Sequence, residues 1–306
     1  MRPLALFALL ALAACGGDPP PPPGASGGAD GPLVLTDDAG REVRLEAPAR
    51  RVAPLAPNLT ELVAAAAGVG ALAGVSPFDD FPAEVSGLPQ FGTLPPDREA
   101  LVALGPDLVL GTEGVNAPAD LDALAALGLP AYAFRFGSLA DVPRALRRLD
   151  TLLGASGGTP AAEDFEARVA EVEARTAGVA PRRVLLLVGA EGGTLYAFGR
   201  GSYASELVRA AGGENLTDAF PGDAAQPSVE WVLEQAPDVI AVAGRGDVRQ
   251  RLVEAAPALA SLPAVQDGRV VAVDPDHLLR PGPRTVLALE ALARRLHPEA
   301  FAAGAA

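Results

Sequence analysis

Two histidines, His277 and His297, and one cysteine, Cys15, are the whole supply of imidazole and thiolate in this 306-residue chain. A first-row metal site closed by three or four such ligands cannot be assembled from them. Of the two, His277 reads on its own as a loop residue. His297 precedes Pro298 and reads as a charge partner at a helix end. Hydroxyls are plentiful, but no Gly-x-Ser-x-Gly elbow presents one as a nucleophile. GASGG at 154–158 reads as a linker, and GRGSYASEL at 199–207 lacks the lysine of a phosphate-binding loop. No catalytic constellation stands out, so the protein is not expected to be an enzyme. The carboxylates that do attract notice are set by a repeat. EALVALGPDLVLGT at 99–112 and EWVLEQAPDVIAVA at 230–243 each open on Glu, run through apolar residues at helical spacing, meet Pro-Asp and end in an apolar stretch. Glu99 and Glu230 thus fall in first helical turns, where the helix dipole favours a negative charge by about 0.3–1 kcal/mol.

The elements that must carry these residues also come in pairs. Arg51 and Arg183 each start an Arg-Val apolar run, followed by a polar or Gly-rich loop and a helix start at Thr60-Glu61-Leu62-Val63 or Ser205-Glu206-Leu207-Val208. Each such helix is expected to end at glycine, Gly68 or Gly212-Gly213. Strands are expected at Val52–Leu55, Leu108–Leu110 and Ala131–Phe134, then at Val184–Val188, Val239–Val242 and Val270–Val273. Their unbroken apolar character fits parallel strands covered by helices on both faces. Between the two sets, a helix starting near a Thr159 cap and Pro160 carries Phe165, Val169 and Val172 as a narrow apolar stripe. Such a helix suits a spacer packed across two lobes. The fold class expected is α/β, with two Rossmann-like lobes of mostly parallel sheet, a long interlobe helix and a ligand cleft between the lobes.

The net charge of −14 argues against a nucleic-acid partner, whose phosphates need cationic patches. The first residues carry Arg2, a short apolar core from Leu4 to Leu12, then LAACG. Nine or so apolar residues are too few to span a bilayer, which takes about 20. Residues 1–14 therefore read as a secretory signal. The small residues before Cys15 resemble a bacterial lipobox, which implies cleavage before Cys15 and a lipid on it. Residues 15–31 then form a Pro/Gly tether to a membrane. The remaining partition expected is an N-terminal lobe over 32–140, a helical connector over 141–181, a C-terminal lobe over 182–298 and a tail over 299–306.

With these elements in place, the chain resembles the substrate-binding proteins of ABC importers that carry cobalamin, haem or ferric siderophores. The resemblance covers about 32–298. It rests on DDAGREVRLEAPARRVAPLAPNLTELV, AGVSPFDDFP, REALVALGPDLVL, GGENL, PSVEWVLEQAPDVI and DHLLRPGPR. SPFDDFP, PSVEWVL and DHLLRPGPR are most similar to the cobalamin-binding branch. The resemblance implies a bulky cobalt or iron chelate in the cleft, with no resident cofactor. Its partners would be a two-fold permease with its ATPase, and the membrane through lipidated Cys15. It implies a monomer in the periplasm or on the outer face of the cell membrane. Glu99 and Glu230 match the acidic residues that engage permease arginines, one on each lobe.

The ligand-binding residues it implies are Pro57 and Asn58 on the first-strand loop, the aromatics Phe78 and Tyr196, and Asp276, His277 and Arg280 near the last strand. Phe78 keeps a structural alternative as core, and Asp276 with Arg280 as a plain ion pair. His277 reads as a loop residue, a contact to ligand edges, or an imidazole reaching an axial position of the bound cobalt or iron. The chain departs from the branch at Leu94, Thr112 and Ala224-Ala225, where cleft tryptophans are usual. The single tryptophan, Trp231, lies beside Glu230 and reads as docking surface or helix packing. These departures leave a siderophore or haem open beside a corrinoid. The rival classes are an enzyme of two nucleotide-binding-like domains and a membrane-tethered interaction module.

Overall fold

The structure is a computed structural model that describes residues 32–302. The expected signal peptide, Cys15 and the tether lie outside the described residues. The first lobe contains the strands β1 (Leu33–Thr36), β2 (Glu42–Leu45), β3 (Val52–Pro54), β4 (Leu108–Thr112) and β5 (Ala131–Phe134). Its helices are α1 (Pro57–Ala67), α2 (Arg98–Leu104), α3 (Pro118–Ala126) and α4 (Asp141–Leu153). β3, β4 and β5 form a parallel sheet in that order, and β1–β2 is a separate hairpin. The sheet is covered on both faces, which is why its strands read as unbroken apolar runs. Val52, Leu108, Leu110, Tyr132 and Phe134 pack with α1 and α4, while Ala53, Val109, Ala131 and Ala133 pack with Leu101, Leu121 and Leu124 of α2 and α3.

After α5 (Gly158–Thr176) comes the second lobe, with strands β6 (Arg182–Glu191), β7 (Thr194–Phe198), β8 (Gly213–Asn215), β9 (Ala224–Ala225), β10 (Val239–Ala243) and β11 (Val270–Val273). Its helices are α6 (Tyr203–Ala210), α7 (Val229–Gln235), α8 (Val248–Ala255), α9 (Pro263–Gln266), α10 (Pro275–Leu278), α11 (Thr285–Leu296) and α12 (Pro298–Ala302). The strand order is β11-β10-β6-β7-β9, with β8 paired to the start of β6. β11, β10, β6 and β8 are parallel; β7 returns antiparallel from β6, and β9 runs antiparallel to β7. This sheet is therefore mixed. The difference comes from Gly192 and Gly193, both at positive φ, which turn an extended β6 back on itself as a hairpin. The stretch expected as a tail carries α12, whose Phe301 ring lies under the Arg175 and Arg294 guanidiniums.

α5 joins the lobes through its apolar stripe. Phe165 belongs to the first-lobe core, Val172 to a second-lobe core, and Val169 touches both. Its N-terminus is capped differently from the expectation. Thr159 sits inside the first turn, and Asp150 of α4 accepts from the Gly158 and Thr159 backbone N–H groups at 2.8 and 2.7 Å. The starts of α1 and α6 also move upstream, to Pro57 and Tyr203, so Thr60 and Ser205 lie within helices. Pro57 at the first position suits α1, since proline lacks only an N–H that a helix start leaves unpaired. His297 is 1% exposed, with Nε2 2.9 Å from the Gly212 carbonyl and Nδ1 3.6 Å from Glu299. It is a buried link between the end of α11 and the end of α6, more than a surface charge partner.

The repeated phrase has a structural meaning in both lobes. Asp97 caps α2 and Ser228 caps α7 through the Ala100 and Trp231 N–H groups. The Pro-Asp that follows each helix locks the neighbouring strand. Asp107 Oδ2 accepts from the Arg50 and Arg51 N–H groups, and Asp238 Oδ2 accepts from the Arg183 N–H. The same arginines return the favour to the helix ends. Arg51 Nη2 donates to the Leu104 carbonyl at 2.8 Å, and Arg183 Nη1 donates to that of Gln235. Helix, Pro-Asp and Arg-Val strand are thus one reciprocal unit, built twice. One position differs: the left-handed residue ending α2 is Gly105, at φ 59°, whereas α7 ends on Ala236, at φ 44°. A Cβ in this region costs about 1–2 kcal/mol. Ala236→Gly is expected to raise stability by about 1 kcal/mol, read as a higher urea midpoint. An unchanged or lower midpoint would show that the backbone there holds no strain.

Candidate functional site

A parallel α/β sheet presents its loops at the carboxyl ends of its strands, and a crevice at that edge is where such folds hold ligands. In the first lobe these loops follow β3, β4 and β5; in the second they follow β10 and β11. The two sets meet through the segment from Asp274 to Arg284. Asn58, buried at the start of α1, donates from Nδ2 to the Pro281 carbonyl at 3.1 Å. Arg280 reaches Asp80 across the crevice at 2.5 Å, lies 3.2 Å from Asp276 and donates to the Phe78 carbonyl at 3.4 Å. Arg284 makes a two-pronged pair with Glu61 of α1 at 2.6 and 2.8 Å, and its guanidinium stacks 4.2 Å over the Phe81 ring.

The Phe78 loop is held by its own sequence. In SPFDDFP, Asp79 Oδ2 accepts from the Ser76 N–H at 2.7 Å and from the Ser76 hydroxyl, whose oxygen in turn accepts from the Phe78 N–H. The turn leaves Phe78 70% exposed, so it is not a core residue. Other large apolar side chains stand open on nearby loops: Phe81, Leu94 and Val115 in the first lobe, and Leu279 in the second. Tyr196, on β7, is also exposed. Thr112 ends β4, is buried, and gives its N–H to Asn116 Oδ1 at 2.9 Å; its own hydroxyl and Asn116 Nδ2 have no partner among the described residues. No hydrogen bond or ion pair joins Leu94, Thr112 or Tyr196 to the Arg280–Glu61 network among the described residues. Glu113, Gly114, Arg135, Phe136, Gly137 and Asp223 line a hollow of about 240 Å³, with Asp223 contributed by the second lobe. A larger hollow of about 680 Å³ lies instead against α4, α5 and α6, away from these strand ends.

Electrostatically the site is strongly paired. Burial raises the Glu61 carboxyl above its ordinary value, against the hydrogen bonds and charge of Arg284. The Arg280 hydrogen bond holds the Asp80 carboxyl below the usual range. His277, half-buried on α10, is lowered by burial, with Arg284 and Arg245 adding to the effect and Asp274 and Asp276 opposing it. Burial therefore favours the neutral form of its imidazole. No cluster of three or more metal-ligating side chains occurs among the described residues.

Glu99 and Glu230 are exposed in the first turns of α2 and α7. Each helix feeds directly into a parallel strand and so runs antiparallel to it. Its N-terminus therefore lies at the strand-carboxyl edge, on the same side of each lobe as the crevice. Trp231 faces inward, edge-to-face with Phe220 at 5.0 Å, and packs on the second-lobe core.

Residues 52–277 match the model of a family described as periplasmic binding protein. The chain belongs to this family. The vitamin B12-binding protein of Pectobacterium atrosepticum is 30% identical over 255 residues, covering 81% of this chain and 88% of that protein. Among solved structures, the periplasmic vitamin B12 binding protein of Vibrio cholerae superposes with a TM-score of 0.73 at 28% identity, covering 83% of this chain and 99% of that one. A periplasmic heme binding protein from Pseudomonas aeruginosa gives the same TM-score, also at 28% identity, covering 82% and 93%. Like these family members, this one is built as two lobes about a crevice. The residues that sequence reasoning missed are Glu61, Asp80 and Arg284. The signal for Glu61 was a carboxylate inside an otherwise apolar helix, TELVAAAA, which asks for a buried partner.

Proposed function

We propose that the protein is the lipid-anchored substrate-binding component of an ABC importer. It captures a corrinoid such as cobalamin in the crevice and delivers it to a two-fold permease with its ATPase. The observation that carries this reading is the joint placement of open apolar side chains and hydrogen-bonding groups around the strand-carboxyl crevice. The likeness to vitamin B12-binding proteins supports it. Large apolar surfaces left open in a rigid frame mark a binding site for a bulky ligand. In this reading Pro57, Asn58, Phe78, Leu94, Thr112, Tyr196, Asp276, His277 and Arg280 bind the ligand. Glu99 and Glu230 meet the permease, and Cys15 carries the lipid. The lobes are 32–140 and 182–298, with 141–181 between them, and the protein works as a monomer at the outer side of the cell membrane. Haem is the second reading, supported by the likeness to the Pseudomonas aeruginosa protein.

The purified body, titrated by calorimetry with cyanocobalamin, haemin and ferric siderophores, tests the proposal. Binding of cyanocobalamin in preference to the others is expected. Heat from haemin alone would transfer the protein to the second reading, and silence toward all three would defeat both.

A further inference from the structure

We infer that the crevice selects its ligand by charge, accepting a chelate whose edge is neutral or cationic and rejecting one edged with carboxylates, and that Asp80 enforces this choice. The inference rests on the proposed function, and it names the class of chelate within that reading. Four arginines point toward the strand-carboxyl edges that meet at the crevice. In a bare cleft they would attract an anionic ligand. Here three of them are closely paired with carboxylates, and the fourth, Arg135, lies near one. Arg280 pairs with Asp80 at 2.5 Å and Asp276 at 3.2 Å. Arg284 pairs with Glu61 at 2.6 Å. Arg245 lies 3.0 Å from Asp274 and 2.5 Å from Asp276. Arg135 lies 3.7 Å from Glu113.

Five carboxylates thus serve four guanidiniums, and Asp223 adds a sixth at the nearby hollow. The local balance is negative, in keeping with the net charge of −14 for the whole chain. A ligand carboxylate entering here must displace one of these pairs and then face the carboxylate it released. A carboxamide has no such difficulty. Its N–H donates to Asp80 or Asp276, its carbonyl accepts from Arg280, and no pair need break. Arg200, exposed ahead of α6, is without a carboxylate partner among the described residues.

Asp80 is the residue that decides. It is the exposed member of the Arg280 set, with 59% of its side chain open, and it comes from the opposite lobe. Removing its charge leaves Arg280 with Asp276 at 3.2 Å and the more distant Glu61 at 3.8 Å, and frees capacity for a ligand carboxylate. Asp80 follows the turn that presents Phe78, and that turn is closed from within by Ser76 and Asp79. Neutralising Asp80 should therefore change charge preference without dismantling the loop.

The test uses a matched pair of probes: cyanocobalamin, edged with carboxamides, and its monocarboxylate derivatives made by mild hydrolysis. Wild-type protein should bind the amide form at least about tenfold tighter, since like charges opposed across an interface are costly. Asp80→Asn should shrink that ratio, mainly by tightening the carboxylate forms. Equal affinities in the wild type would overturn the inference while leaving the proposed function standing. A carboxylate preference that Arg200→Ala abolishes would overturn it in favour of Arg200 as an anion anchor. An unchanged ratio in Asp80→Asn would remove Asp80 from its role. Failure of the wild type to bind either probe would instead strike the corrinoid reading itself.

Discussion

Arginine at both Glu99 and Glu230 is expected to bring ligand uptake by whole cells down at least about a hundredfold, since coupling across close charge pairs runs to several kcal/mol. The ligand affinity of the purified protein should stay within about twofold. Both carboxylates are exposed, and neither has an ion-pair partner among the described residues. Their loss therefore breaks nothing inside the protein, and the cost to each helix start is about 1 kcal/mol or less. They sit at equivalent places in the twice-built unit, on the edge of each lobe that carries the crevice. A permease of two equivalent halves would meet one carboxylate per half. Either single reversal should lose part of the effect and the double reversal most of it. Calorimetry on the purified variants and labelled-ligand uptake in cells separate the two outcomes. Wild-type uptake by the double variant would return both residues to plain helix-start charges. Loss of affinity in parallel with uptake would place them in the binding site instead.

How much of this was legible in the sequence depends on the range of the interaction. Strand Ala131–Phe134 matches its expected limits because an apolar run buried on both faces has to start and stop with the sheet. Val270–Val273 matches too, although it is an edge strand and only Val273 is fully buried. The stripe of Phe165, Val169 and Val172 fixed the role of α5 for a similar reason: it is a local pattern with only one buried face. The repeat could be seen but not explained. That Asp107 and Asp238 lock Arg51 and Arg183 depends on pairs 56 and 55 residues apart. The helix starts were misplaced because hydroxyls at Thr60 and Ser205 are good caps in isolation. In the folded chain Pro57 and the turn at Ser202 begin the helices earlier. The site was partly legible through DHLLRPGPR, which brought Asp276 and Arg280 forward. It hid Glu61, Asp80 and Arg284, whose meaning lies in contacts spanning about 200 residues.

Arg284→Ala is expected to destabilise the protein by about 3 kcal/mol or more, because it strands a buried carboxylate. The Glu61 side chain is 2% exposed, and both of its oxygens accept from Arg284. Burial already raises the Glu61 carboxyl; Arg284 is the main group opposing that rise, and Arg280 at 3.8 Å adds to the opposition. Without the arginine, the folded value moves further above the unfolded one. The folded state then holds its proton more tightly than the unfolded state does. Stability from that group is fully present below the unfolded value of about 4.5 and is lost as pH rises through the folded value. The gap between variant and wild type should therefore widen from pH 5 to pH 8, measured as urea midpoints at each pH. Glu61→Gln combined with Arg284→Ala should recover part of the loss at pH 8 and flatten the pH dependence, since no buried charge is left to titrate. The stacked Phe81 ring loses its guanidinium in both variants, so whatever that contact contributes cancels between them. A variant gap that is the same at both pH values would assign the loss to packing against Phe81 and take the ion pair out of the account. A gap that widens as predicted makes Glu61–Arg284 a charged tie between α1 and the segment that carries Arg280.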